Sequence, residues 1–305
     1  MSVVGCTRDA LGVANPSADS TSLGARPLDA TDSSGPRLTI VAGNEPRVGL
    51  MWLPALGVPA HHYLPMAQAL AECGVAVALH EWRGTGTSTV RASRRCDWGY
   101  REVLELDLPE SFAQMRARHG ELPWIVGGHS IGGQFAALFA AMRPELVRGV
   151  AMVASGSPYW RTFPRRQQGL LRLAYALVKP ITSVFGYFPG RRLGFGGNEA
   201  RTLMRDWAHS GRTGRYAPPT IEADLETALG RFGGAVFAAQ LADDALCPAA
   251  SLDWLLAKMP QAIVERARFT ADRFDNRRAT HFSWMKAGAP IVTAIDAWRR
   301  RSIAD

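Results

Sequence analysis

Three side chains, far apart along the chain, have the types and the order that nucleophilic acyl chemistry requires. Ser130 stands in "IVGGHSIGGQF" (125–135), where an apolar, strand-like run gives way to a run of helical character. A serine hydroxyl attacks poorly unless an imidazole takes its proton, and a carboxylate must fix the tautomer of that imidazole. Downstream, "AAQLADDALCP" (238–248) ends an apolar run in Asp243 and Asp244, and "RRATHFSWM" (277–285) places His281 in a loop. Of the seven histidines, His281 alone follows the aspartates. His61, His62, His80, His119 and His129 precede or adjoin the serine, and His209 precedes the acids. Asp244, four residues before Pro248, is the preferred acid, with Asp243 as the alternative.

The surroundings of Ser130 suit a strained strand-to-helix corner. Gly128 and Gly132, two residues to either side, leave room for strand and helix to pass closely, and the hydroxyl then stands above a sheet. The amide of Ile131 opens the helix at the positive end of its dipole, where it can receive a developing oxyanion. A second donor should come from the loop after an early strand. "LPALG" (53–57) offers the amide of Leu56. A serine that merely caps a glycine-rich turn is the plainer reading. The later acid and the still later histidine argue against it.

These residues need a scaffold, and the hydropathy pattern supplies one. "RLTIVAG" (37–43) and "RVGLMWLPA" (47–55) read as strands, "YLPMAQALAECG" (63–74) as a helix, and "VAVALHEW" (75–82) as a buried strand before a glycine-rich loop. Residues 100–120 read as a helix bent near Pro109, 122–128 as a strand, 131–143 as a helix and 147–155 as a strand. The alternation breaks over 156–232 and resumes with strands at 235–244 and 262–270 and helices at 249–259 and 289–301. The expected fold class is therefore α/β, with a mostly parallel sheet, helices on both faces and a helical lid inserted between late strands. The expected organisation is a flexible tail (1–36), a first core part (37–155), a basic lid (156–232) and a second core part (233–305).

Composition narrows the function classes. The formal net charge is +8, and its excess lies in one block: residues 155–219 hold eleven cations against Glu199 and Asp206. No run of 18 apolar residues lacks charge or proline, so no membrane span is expected. The N-terminus shows no basic region followed by an apolar core, which points to a cytoplasmic protein with reduced cysteines. The four cysteines lack metal-ligand spacing, no dinucleotide fingerprint is present, and no stacking aromatics alternate with the cations. Neither a metal, a cofactor nor a nucleic-acid partner is expected. In the lid, Arg165, Arg166, Trp160 and Trp207 are candidates for contact with an acyl or aromatic small molecule, an anionic one included.

"LPALGVPAHHY", "HEWRGTGTS", "GGHSIGGQ", "LADDALCP" and "THFSW", in that order, resemble the α/β-hydrolase superfamily. "EWRGTGTS" is similar to its D-x-R-G-x-G-x-S loop with Glu81 in place of aspartate, and "PALG" stands where many members carry H-G-x-G. The lid segments "FGYFPGRRLGFGG" and "MRDWAHSGR" resemble a bacterial branch near the serine-aminopeptidase-like and monoglyceride-lipase-like hydrolases. The resemblance implies a serine hydrolase with Ser130, His281 and Asp244 as its triad and a carboxylic ester as its substrate. A thioesterase or acyltransferase served by an acyl carrier protein is the alternative, and a non-catalytic ligand-binding homologue the second.

Overall fold

The computed structural model describes residues 26–27, 37–275 and 277–303. Apart from Arg26–Pro27, the expected tail (1–36) lies outside the described residues. The chain first lays down strands β1 (Arg26–Pro27), β2 (Arg37–Val41) and β3 (Val48–Leu53), then helix α1 (Leu64–Glu72) and strand β4 (Val75–Glu81). Helix α2 (Leu108–His119), strand β5 (Trp124–His129), helix α3 (Ile131–Met142) and strand β6 (Gly149–Val153) follow. After an insertion come β9 (Ala235–Leu241), α8 (Ala249–Leu256), β10 (Ile263–Phe269) and α9 (Ala289–Ser302).

The strands form one eight-stranded sheet in the order β1-β2-β4-β3-β5-β6-β9-β10. β1 and β2 run antiparallel to their neighbours, and every pairing from β4 to β10 is parallel. The central strands are buried from end to end, which is why "VGLMWL" and "VAVALHE" read as continuous runs rather than alternating ones. α1 and α9 cover one face with Leu70, Ile291, Ile295 and Trp298. α2, α3 and α8 cover the other with Phe112, Phe135, Phe139 and Leu255. α3 is buried along almost its whole length, and its glycines and alanines are what let it lie so close to β5 and β6. The edge strand β10 instead exposes alternate charged residues, which discourages pairing with another chain.

The bend expected near Pro109 takes a specific form. Residues Glu102–Asp107 form a π-helical turn, and α2 starts directly after it with Pro109 in its first turn. Proline cannot donate to the preceding turn, so the wider turn sits where that hydrogen bond is missing.

The insertion between β6 and β9 holds α4 (Arg165–Phe185), the short strands β7 (Tyr187–Pro189) and β8 (Asn198–Ala200) with α5 (Gly190–Leu193) between them, then α6 (Arg201–Thr213) and α7 (Leu225–Arg231). It has a small core of its own, built from Tyr175, Val178, Phe188, Met204 and Ala208. Polar ties fasten it to the sheet-bearing part. Asp97 takes Arg201 at 2.9 Å and the amide of Thr202 at 2.9 Å, and Asp206 takes the amide of Tyr100 at 3.0 Å. Tyr216 donates to the side-chain oxygen of Gln134 at 3.1 Å.

Candidate active site

Ser130 lies between β5 and α3 with φ 58° and ψ −122°, one of three non-glycine residues with positive φ among those described. A side chain costs energy in this region, so the backbone around it must hold it there. The Ser130 amide donates to the Val153 carbonyl at 3.1 Å. Its own carbonyl accepts from the amide of Gly133 at 3.0 Å and from the Ser155 hydroxyl at 2.7 Å. The flanking glycines are a steric necessity. A Cβ on Gly128 would sit 2.3 Å from the Gly132 carbonyl carbon, and one on Gly132 would sit 2.0 Å from the Leu53 carbonyl oxygen.

The acid and the imidazole arrive from loops beyond β9 and β10. Asp244 is buried, and its Oδ2 lies 2.8 Å from Nδ1 of His281. Its Oδ1 accepts from the amides of Leu246 at 2.8 Å and Cys247 at 3.0 Å, so both carboxylate oxygens are engaged. Asp243 points elsewhere. Its Oδ2 accepts from the Ala279 amide at 2.9 Å, and its own amide donates to the Ala279 carbonyl at 2.9 Å. Of the two aspartates left open by the sequence, Asp244 is thus the one that reaches His281. Ser130 and His281 line one cavity, and no hydrogen bond joins their side chains. Such contacts often close only when substrate arrives.

The loop after β3 is held by a relay that the sequence did not reveal. The Ala55 amide donates to the Tyr63 hydroxyl at 2.9 Å, and that hydroxyl lies 2.9 Å from Nδ1 of His129. With its oxygen accepting from Ala55, Tyr63 donates to His129. Burial, reinforced by neighbouring His281, lowers the pKa of His129 well below the usual histidine range and keeps it a neutral acceptor. The His129 ring lies beneath His281, centroids 4.7 Å apart. The Trp82 indole donates to the Pro54 carbonyl at 2.9 Å. Glu81 accepts from the amides of Ala60 at 3.1 Å and Thr87 at 3.2 Å, tying the loop after β3 to the loop after β4. With Ala55 engaged, the next amide, that of Leu56, has no acceptor among the described residues, and Leu56 and Ile131 both line the cavity beside Ser130.

The cavity measures about 240 Å³ and is mostly apolar. Phe163, Leu171, Tyr175, Phe195 and Trp207 of the insertion form much of its wall. Of the four insertion residues expected to meet a small molecule, only Trp207 lies there. Arg165 and Arg166 are exposed at the start of α4, and Trp160 stands under the guanidinium groups of Arg161 and Arg172, each 5.0 Å from its ring. Both arginines lie off the side of α4 that turns Leu171 and Tyr175 toward the cavity.

One set of metal-ligating side chains comes together among the described residues: Asp244, Cys247 and His281, with ligand atoms within 4.8 Å of one another. Burial, and after it the nearby Asp244 carboxylate, raises the Cys247 thiol well above the usual range and holds it protonated. With Asp244 already hydrogen-bonded through both oxygens, this donor set suits proton transfer better than a resident ion.

Comparison with known proteins places these observations in a family. The family model described as "Serine aminopeptidase, S33" matches residues 45–202. No curated protein sequence matches the chain. Among solved structures, a monoacylglycerol lipase of Paleococcus ferrophilus is 15% identical over 86% of this chain and 97% of its own, with a TM-score of 0.59. A carboxylesterase structure from the ammonia-oxidizing thaumarchaeon Nitrososphaera gargenis is 14% identical over 89% and 98%, with a TM-score of 0.55. A thioesterase domain from the curacin biosynthetic pathway is 15% identical over 89% and 98%, with a TM-score of 0.52. At these identities the likeness concerns the fold.

Proposed function

Because the chain belongs to the serine aminopeptidase S33 family of α/β-hydrolases, we propose that it is a serine hydrolase that cleaves a carboxylic ester with an apolar acyl group. The observation that carries this reading is that His281, paired with the buried Asp244, lines the same apolar cavity as Ser130, whose backbone is held at φ 58°. Ser130 attacks the ester carbonyl while Nε2 of His281 takes its proton. Asp244 keeps the proton on Nδ1 and stabilises the imidazolium. The amides of Ile131 and Leu56 receive the oxyanion. His281 returns the proton to the leaving alcohol, and a water molecule, activated in the same way, releases the acid from the acyl-enzyme.

The insertion between β6 and β9 acts as a lid, since its aromatic side chains wall the cavity and residues 156–232 pack a core of their own. The cavity wall carries no lysine or arginine, which favours a neutral acyl group over an anionic one. The test is a panel of p-nitrophenyl esters and acyl thioesters of graded chain length, with fluorophosphonate labelling and a Ser130→Ala control. Turnover of esters over thioesters, with label on Ser130, is expected. Equal labelling of Ser130→Ala would sink the serine mechanism, and preference for thioesters would move the reading to a thioesterase.

A further inference from the structure

The outer face of α4 has no use in the chemistry above. Leu170, Leu173, Leu177 and Val184 are 69%, 56%, 43% and 64% exposed. At 3.6 residues per turn, these four fall within about 60° of one another around the helix, a continuous stripe opposite the packed residues Tyr175, Val178 and Thr182. Apolar side chains of this size are tolerated singly on a surface. A stripe of them marks contact with something apolar.

The charge around the stripe says what that something is. Arg166 continues it at the N-terminal end, and the exposed Arg172 and Lys179 lie together on one side of the helix, about 100–120° round from the edge of the stripe. Arg94 donates to the Val184 carbonyl and brings a loop with Arg91 and Arg95 against the other end. The only two carboxylates within residues 155–219, Glu199 and Asp206, are both buried. The exposed surface of this segment therefore carries positive charge alone. A second copy of the chain would bring the same cations face to face, so self-association through this stripe is disfavoured. No helix among the described residues is long and apolar enough to cross a membrane, but α4 has the form of a helix that lies in the surface of one.

We propose that α4 docks the protein on an anionic lipid surface, with Leu170, Leu173, Leu177 and Val184 seated among the acyl chains and the surrounding arginines among the headgroups. Phe195, which walls the cavity, is itself 38% exposed. The docking is separate from the hydrolase reading because sedimentation, rather than turnover, detects it.

The experiment is co-sedimentation of the full chain with vesicles of phosphatidylcholine alone and of equal parts phosphatidylcholine and phosphatidylglycerol. Binding at least about tenfold stronger to the anionic vesicles, weakening with salt, is expected. Leu173→Glu with Leu177→Glu should lower it about tenfold or more while hydrolysis of a water-soluble ester is unchanged, since neither leucine lines the cavity. Arg166→Glu with Lys179→Glu should weaken anionic binding in the same direction. Equal binding to both vesicle types would overturn the proposal. So would anionic binding that survives the leucine changes, or light scattering that shows a dimer which those changes disperse.

Discussion

Asp244 and His281 meet at 2.8 Å, Oδ2 to Nδ1, while the other oxygen of the same carboxylate is held by two backbone amides. The acid is thus oriented from behind before it orients the imidazole. Removing its charge leaves the packing intact and removes the preference for the proton on Nδ1.

Asp244→Asn should lower kcat/KM by roughly 10³–10⁴-fold. Asp243→Asn keeps an oxygen for the Ala279 amide and should cost less than about tenfold. Ester turnover of the two purified variants decides it, and the reverse order would overturn the assignment.

A methyl group at position 132 has nowhere to go, since Leu53 and Pro54 carbonyl oxygens would lie 2.0 and 2.6 Å away. Gly132→Ala should destabilise the fold by about 3 kcal/mol or yield insoluble protein. Gly169, inside α4, has nothing within 4 Å of the same added carbon. Gly169→Ala should raise the stability by about 0.5–1 kcal/mol. Thermal melts check both, and an unaffected Gly132→Ala would refute the steric argument.

Trp207 packs against Tyr175 and Phe195, ring centroids 5.1 and 5.4 Å away, in the wall of the cavity. Trp207→Ala should move the maximum of kcat/KM toward longer acyl chains. Arg165→Ala with Arg166→Ala should change KM for charged and neutral acyl esters alike by less than about twofold, because neither residue reaches the cavity. An unshifted chain-length profile would remove Trp207 from the wall that measures the acyl group.

Asp206 ties α6 to Tyr100 and Thr220, and burial raises its pKa to about 6. The folded state then binds the proton more tightly than the unfolded chain does. Its contribution is fullest below about pH 4 and is lost as the pH rises to about 6 and beyond, on the order of 2–3 kcal/mol. Asp206→Asn keeps an acceptor without the charge, so it should raise the melting temperature at pH 8 and flatten the slope between pH 4 and 6. Parallel stability curves for the two proteins would contradict this.

The alternation of apolar runs marked out the sheet, its helices and the place of the insertion, because burial on both faces leaves its trace in the hydropathy of single segments. The corner at Ser130 was legible for the same reason: Gly128 and Gly132 are local requirements of one turn. The relay from Ala55 through Tyr63 to His129 was not, since its partners come from a loop, a 3₁₀ turn and a strand that only the fold brings together. Glu81 was legible as the loop acid in place of aspartate, but not as the tie between the loop after β3 and the loop after β4. Arg165 and Arg166 misled for a converse reason. Charge composition says that a segment is basic, but the rotation of α4 about its axis decides which side chains face the cavity.

Asp243 and Ala279 exchange two hydrogen bonds, each 2.9 Å, between the loop that bears Asp244 and the loop that bears His281. This clasp has a consequence for motion. Two loops joined in this way should open together, so that the imidazole stays with its acid when the cavity opens. Amides on both loops should exchange with solvent at a common rate.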